Sequence, residues 1–378
     1  MAKYLIQNKT LQGIAGAIRE KAGITDDMTP REMMEQICLL ETDTDVGAPA
    51  HGVFFYDYDG TLLYSYTVKE ARALTALPDP PTHDGLPFAG WTHTLEEVKS
   101  TLKYLDVGAM YDPPSTKIVM EIDSANTAVP MNLFSRTTDG ASVTINWGDG
   151  TTQSLSVTTT TSIEHTYTSS GTYTIEFQVL SGVLDLGNSF GYSGKPLFKA
   201  SNGGYPVSHM IQSAIIANNT VMTYGTFINA KNLKSVVIGL GTSTVGGGSF
   251  IRTQQLKCVI FPLGINQISN SMFWQSSSVT TVILPSSINA LGYSLFQEAT
   301  ALERIIIPSS VKRWNIDVFL DATALSEVHI RCISPPSVVG SLAFPSNFLI
   351  YVPIESVDIY KTADGWSTYA SQIYGEPI

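Results

Sequence analysis

The sequence predicts a mainly β, multidomain chain that ends in a β-solenoid built on a 23-residue repeat. Three observations predict it. Apolar residues recur at one fixed step through the second half of the chain. Thr, Ser, Gly, Val and Ile crowd that same half, which favours strands and turns over helices. Helix-type periodicity, by contrast, is concentrated near the N-terminus.

The repeat rests on four columns. Phe227, Phe250, Phe273, Phe296 and Phe319 are each 23 residues apart, and Leu233, Leu256, Val279, Leu302 and Leu325 keep that step. Val236, Val259, Val282, Ile305 and Val328 form a third column, and Ile238, Phe261, Leu284, Ile307 and Ile330 a fourth. A weaker first turn aligns on Met210, Ser213, Ile215 and Met222. Each unit reads as a short strand, L-x-x-V-x-I, and then a turn. Pro262, Pro285 and Pro308 close three of these strands, because proline has no N–H to give to a ladder. One such unit cannot bury its own core, so stability comes from stacking. The open end needs a cover. A last strand over 348–353 and a segment over 355–373, with Tyr360, Trp366 and Tyr369, are expected to supply it.

Alternation places Val236 and Ile238 and their equivalents inside. The residue between them points outward, and this column reads Ala214, Val237, Ile260, Ile283, Ile306 and then His329. An apolar outward stripe has two readings. It is ordinary β-propensity on a partly solvated sheet, or it is a surface covered by another domain or subunit. The second makes Val237, Ile260, Ile283 and Ile306 interface residues.

Three segments precede the solenoid of residues 183–378. Residues 1–45 read as a helical docking segment. Leu11, Ile14 and Ile18 lie on one helix face, and Thr29 to Glu32 form a capping box with Pro30 at the first helical position. Helices this short need something to dock on. Residues 46–112 read as a small α+β spacer, with strands over 51–58 and 61–67 around Asp59 and Gly60, and a short helix near Thr94. Residues 113–182 read as a β-sandwich. There, Trp147, Gly148, Asp149 and Gly150 make a tight turn that leaves the Trp147 ring for the core.

Four resemblances attach to these residues. The IPSSV-type turn and the closing YVP, YK and W..Y elements resemble the BspA-type leucine-rich repeat. The string from Tyr4 to Ile37 resembles the N-terminal segment of tailed-phage structural proteins, which implies a virion component of a tail, baseplate or fibre. The stretch LPDPPTHDGLPFAGW, ending at Trp91, is similar to small β-grasp-like Listeria–Bacteroides repeats, which serve as spacers or adhesive modules. The WGDG turn, His165 to Tyr167, and Gly171 to Ile175 resemble a PKD-type module.

Composition narrows the function. The net charge of −11 argues against nucleic-acid binding and against docking on an anionic membrane. No window of apolar residues is long enough to span a bilayer, and the N-terminus has no signal-peptide core. Cys38, Cys258 and Cys332 lie far apart, which gives neither a disulfide framework nor a zinc site. Asp57, Asp59, Gly60 and Thr61 imitate the DxDGT motif of haloacid-dehalogenase-type phosphatases. The alternating β and α segments that fold requires do not follow, so a hairpin turn is expected. His165 is expected to hold a structural hydrogen bond and Asp149 to stabilise its turn.

The expectation is therefore a non-enzymatic phage virion protein with no cofactor, assembled in the host cytoplasm. It is anchored to other virion proteins through residues 1–45 and presents the solenoid to a host-surface glycan or protein. A homotrimer is assumed by analogy with fibres. An architectural or decoration subunit and a bacterial cell-surface adhesin are the alternatives.

Overall fold

A computed structural model describes residues 52–101, 103–188, 195–200, 204–242 and 244–376. The expected docking segment, with Leu11, Ile14 and Ile18, lies outside the described residues.

The first unit is a four-stranded sheet of β1 (Gly52–Tyr56), β2 (Leu62–Thr67), β3 (Phe88–Trp91) and β4 (Tyr104–Tyr111), in the order β2-β1-β4-β3. The central pair is parallel and the outer pairings are antiparallel. Two short helices pack on one face, α1 (Val68–Ala73) and α2 (Leu95–Ser100). Each opens with a reciprocal capping box, Thr67 with Glu70 and Thr94 with Glu97, which satisfies two orphan backbone donors at once. The sequence reading missed α1, although Thr67 and Glu70 carried its signal. Val53, Phe55, Val107, Ala109 and Tyr111 face the helices, while Phe54, Tyr56, Tyr104, Asp106 and Gly108 alternate to the other face.

The sandwich holds β5 (Thr116–Ile122), β6 (Thr127–Phe134), β7 (Ala141–Asn146), β8 (Thr152–Val157), β9 (Thr161–Tyr167) and β10 (Gly171–Ser181). Its two sheets run on into the solenoid. One has the order β15-β13-β5-β10-β7-β8, where β13 is Ile211–Ile216 and β15 is Ser235–Ile238. In the other, β11 (Leu184–Asn188) lies between β6 and β12 (Lys195–Pro196) and also pairs with β14 (Thr220–Met222). The sandwich therefore covers the first open edge of the solenoid, and one core runs from Ile118 and Trp147 to Phe273 and Trp366. Thr116 Oγ1 fixes the joint, donating to Thr220 Oγ1 at 2.8 Å and accepting from the Ala217 amide at 2.9 Å.

Later coils add β16 (Cys258–Ile260), β18 (Thr281–Ile283), β20 (Arg304–Ile307), β22 (Glu327–Ile330), β24 (Leu349–Pro353) and β25 (Ile373–Glu376) on the strand face. A second face carries the two-residue strands β17 (Gln267–Ile268), β19 (Ala290–Leu291), β21 (Arg313–Trp314) and β23 (Ser337–Val338). The expected inward columns are buried. The Phe column is a ring stack, with centroids 6.2, 5.5, 5.2 and 5.4 Å apart from Phe227 to Phe319. The end is closed by α3 (Val357–Thr362), whose Tyr360 is buried against Trp366 at 5.1 Å.

One expectation is corrected. In the first coil Ala214 pairs with Val236 and Ile215 with Val237, so Ala214 is inward and Ile215 outward. The step there is one residue shorter than the repeat, and a one-residue slip exchanges the two faces of a strand.

Candidate recognition surface

The outward stripe lies beneath the small α+β unit. Val237 is 3% exposed and joins the cluster of Val53, Val107 and Tyr111. Ile260 and Ile283 are 5% and 3% exposed and form a cluster with Cys258 and Tyr56. Ile306 is half-buried. A Cβ on Gly108 would stand 2.6 Å from the Ile260 side chain, so the missing side chain is what lets the sheets approach.

β4 meets successive coils of the solenoid in turn. Along β4, Tyr111 accepts from the Leu240 amide at 3.0 Å and Gly108 lies on Ile260. Asp106 binds Arg304 at 2.9 Å, and the Tyr104 carbonyl accepts from Arg331 at 2.7 Å. Lys103, one residue before β4, sits 3.7 Å above the Tyr351 ring. The strand thus advances along the solenoid axis as its residues are counted down.

The seam changes character along its length. Past Ile306 the outward column continues with His329, fully buried, whose ring nitrogens face Glu376 at 2.8 Å and Glu327 at 3.1 Å. Arg331 pairs with Glu376 at 2.8 Å, and Tyr351 stacks on His329 at 4.9 Å. Where apolar gives way to charged, a cleft of about 130 Å³ opens between Ile283, Ile306, His93, Asp106 and Arg331. Burial lowers the His93 imidazole below its ordinary 6.5.

The motifs that resemble chemistry are engaged in contacts within the chain. Asp57 closes the hairpin, its backbone N–H donating to Thr61 at 2.9 Å while Gly60, at φ +90°, donates to Asp57 at 3.0 Å. The Asp57 carboxylate is buried, accepting from Tyr111 at 2.5 Å and meeting His83 at 2.7 Å. In the sandwich, Asp149 accepts from the Thr151 amide at 3.0 Å and meets His165 at 2.8 Å. His165 stacks on Trp147 at 4.4 Å, and Tyr167 donates to the Trp147 carbonyl at 2.7 Å. Among the described residues, no group of three or more His, Cys, Asp or Glu is placed to hold a metal ion. Cys258 and Cys332 are buried free thiols. No described helix is long and apolar enough to cross a membrane.

The flank around the Phe stack carries polar chemistry, with Arg252 and Asp321 exposed and Trp274, Gln275 and Glu298 half-buried. Asn229, Arg252, Gln275, Glu298 and Asp321 occupy one position per coil at φ 57–61°. A left-handed L-residue costs roughly 1–2 kcal/mol. In the first four it turns the N–H onto the next coil, as from Arg252 to the Trp274 carbonyl at 2.9 Å and from Gln275 to the Gln297 carbonyl at 2.9 Å. The side chains form their own ladder. Arg252 donates to Gln275 at 2.7 Å, Gln275 to Glu298 at 2.9 Å, and Trp274 to Glu298 at 3.0 Å. Those donors lower the Glu298 carboxyl. The Arg252 guanidinium lies 5.8 Å from the Trp274 ring, and Tyr224 and Tyr293 stand half-buried on the same flank. The sequence reading missed this row because its residue types differ from coil to coil while their backbone conformation repeats.

A family profile described as "BspA type Leucine rich repeat region" matches residues 220–348 in 6 copies. That stretch of the chain is a BspA-type leucine-rich repeat region. Among solved structures, a leucine-rich cell-surface protein from Faecalibacterium prausnitzii A2-165 is 19% identical, with a TM-score of 0.28. The match covers 45% of this chain and 62% of that one, so the shared part is less than two thirds of the F. prausnitzii protein. A search of curated proteins finds no match.

Proposed function

We propose that the protein is a non-catalytic attachment protein that offers the flank of its repeat region to a ligand on a bacterial surface. One observation carries this reading. The strand face of the solenoid is occupied by the chain's own residues, whereas the flank sets Arg252, Trp274, Gln275 and Glu298 in a row with coils about 4.8 Å apart. Planar aromatic and amide groups at a regular spacing suit an extended polar ligand, a glycan or a peptide strand. The carboxylates that resemble catalytic groups are engaged within the chain, Asp57 by Tyr111 and His83 and Asp59 by the Thr61 amide at 2.9 Å.

Two carriers fit. The BspA-type repeat favours an adhesin on a bacterial cell. The string from Tyr4 to Ile37 favours a tailed-phage particle, anchored through residues 1–45, with the PKD-like sandwich and the α+β unit as spacers. Labelled antibody on intact cells and on phage particles, viewed by electron microscopy, separates them.

For binding itself, the full chain is labelled and applied to intact bacteria. Arg252→Ala with Trp274→Ala is expected to lower cell binding at least tenfold without changing the circular dichroism spectrum. Equal binding by the variant and the parent would overturn the flank as the contact surface. No binding by the parent chain to any strain would favour a purely architectural subunit.

A further inference from the structure

A solenoid is held by contacts between neighbouring coils, so its terminal coils ordinarily open one at a time. This one carries an element that breaks the nearest-neighbour rule. The strand face runs from Val237 through Ile260, Ile283, Ile306, His329 and Tyr351 to Tyr374, which is six coil steps, or about 29 Å at 4.8 Å each. The β4 strand has 8 residues, hence seven rises or about 23 Å at 3.3 Å each, and lies along that axis. The strand reaches from the coil of Val237 to that of His329, and the side chain of Lys103 reaches on to Tyr351 and Glu376.

The contacts fall in coil order. Tyr111 meets Leu240, Gly108 meets Ile260, Asp106 meets Arg304, Tyr104 meets His329 and Arg331, and Lys103 meets Tyr351 and Glu376. Each bond is modest. What sets them apart is that a single covalent strand joins coils that do not touch one another. Opening the last coil therefore disturbs the same strand that holds the first.

We propose that residues 52–111 act as an axial strap that couples distant coils and makes the solenoid open as one unit. The charged end matters most, because the last coils have a neighbour on one side only. Asp106, Lys103 and the Tyr104 carbonyl bind Arg304, Glu376 and Arg331 there, in place of the apolar contacts under Val237 and Ile260. The strap holds whether or not the flank binds a ligand.

Native-state hydrogen exchange of the full chain, read by mass spectrometry, tests it. In Lys103→Gln with Asp106→Asn, the amides of β20, β22, β24 and β25 are expected to exchange at least tenfold faster, with β5, β7 and β10 unchanged. Glu96→Gln, on the exposed face of α2, serves as the control and leaves every coil as it was. If the double variant does not fold, Lys103→Gln alone replaces it, and the faster exchange is expected in β24 and β25. Unchanged exchange in the last coils would overturn the strap, and so would an equal rise across sandwich and solenoid.

Discussion

Gly108 sets the distance between the two sheets. A Cβ there would come within 2.6, 2.8 and 2.9 Å of three atoms of the Ile260 side chain. Gly108→Ala gains a little through the unfolded chain, about 0.4–1 kcal/mol. Overpacking costs about 1–3 kcal/mol and should win, because Ile260 is itself buried against Tyr56 and Ile283. Urea denaturation is expected to show a net loss in the parent background and little or none in Ile260→Ala, where the space has been made. An equal loss in both backgrounds would place the cost elsewhere. The sequence displayed Ile260 as an outward apolar residue, but nothing near Gly108 pointed to its partner 152 positions away.

At the scale of elements, the Phe stack and the left-handed row solve different problems. Phe273 is fully buried between Phe250 at 5.5 Å and Phe296 at 5.2 Å, with Phe261 edge-on at 6.2 Å. Removing it empties a site with rings on both sides, so Phe273→Ala is expected to cost about 3–5 kcal/mol in chemical denaturation. A loss below about 1 kcal/mol would mean that the neighbouring coils collapse onto the gap. The stack was legible because identical residues recur at one step. The left-handed row was not, since Asn229, Arg252, Gln275, Glu298 and Asp321 share the 23-residue step and a φ but no common side chain. β25 also escaped the sequence reading. It keeps the 23-residue step, Tyr351 to Tyr374, but lacks the apolar columns and pairs in parallel with β24 from beyond the α3 cap.

For the whole molecule, the seam between the α+β unit and the solenoid should weaken in acid. Burial works to raise the Glu376 carboxyl, but the hydrogen bond to His329 and the charges of Arg331, His329 and Lys103 outweigh it and leave Glu376 below its ordinary 4.5. The hydrogen bond to His329 likewise lowers Glu327, against a smaller opposing effect of burial. A carboxyl lowered in the folded state is protonated first in the unfolded state. Its stabilisation is therefore complete above about pH 4.5 and is lost as pH falls through the folded value. Thermal midpoints measured from pH 7 to pH 3 are expected to fall below pH 4.5, and Glu376→Gln to flatten that fall while lowering the midpoint at pH 7. A variant with the parent's full acid slope would remove Glu376 from the account.

The sequence by itself determined the solenoid, its 23-residue step, its inward columns and the apolar character of its outward stripe. A repeat announces these things because every coil must present the same surface to the next. The step shortens to 22 residues at the first coil, where Ile215 rather than Ala214 takes the outward place, and again from β22 to β24. A coil that pairs with a sandwich strand on one side is free to drop a residue. What covers the stripe, and how the sandwich closes the first edge, only the tertiary structure decided. Both depend on contacts between residues far apart in the chain, such as Asp106 with Arg304 and Thr116 with Thr220. Those contacts obey no period, so no local pattern could record them.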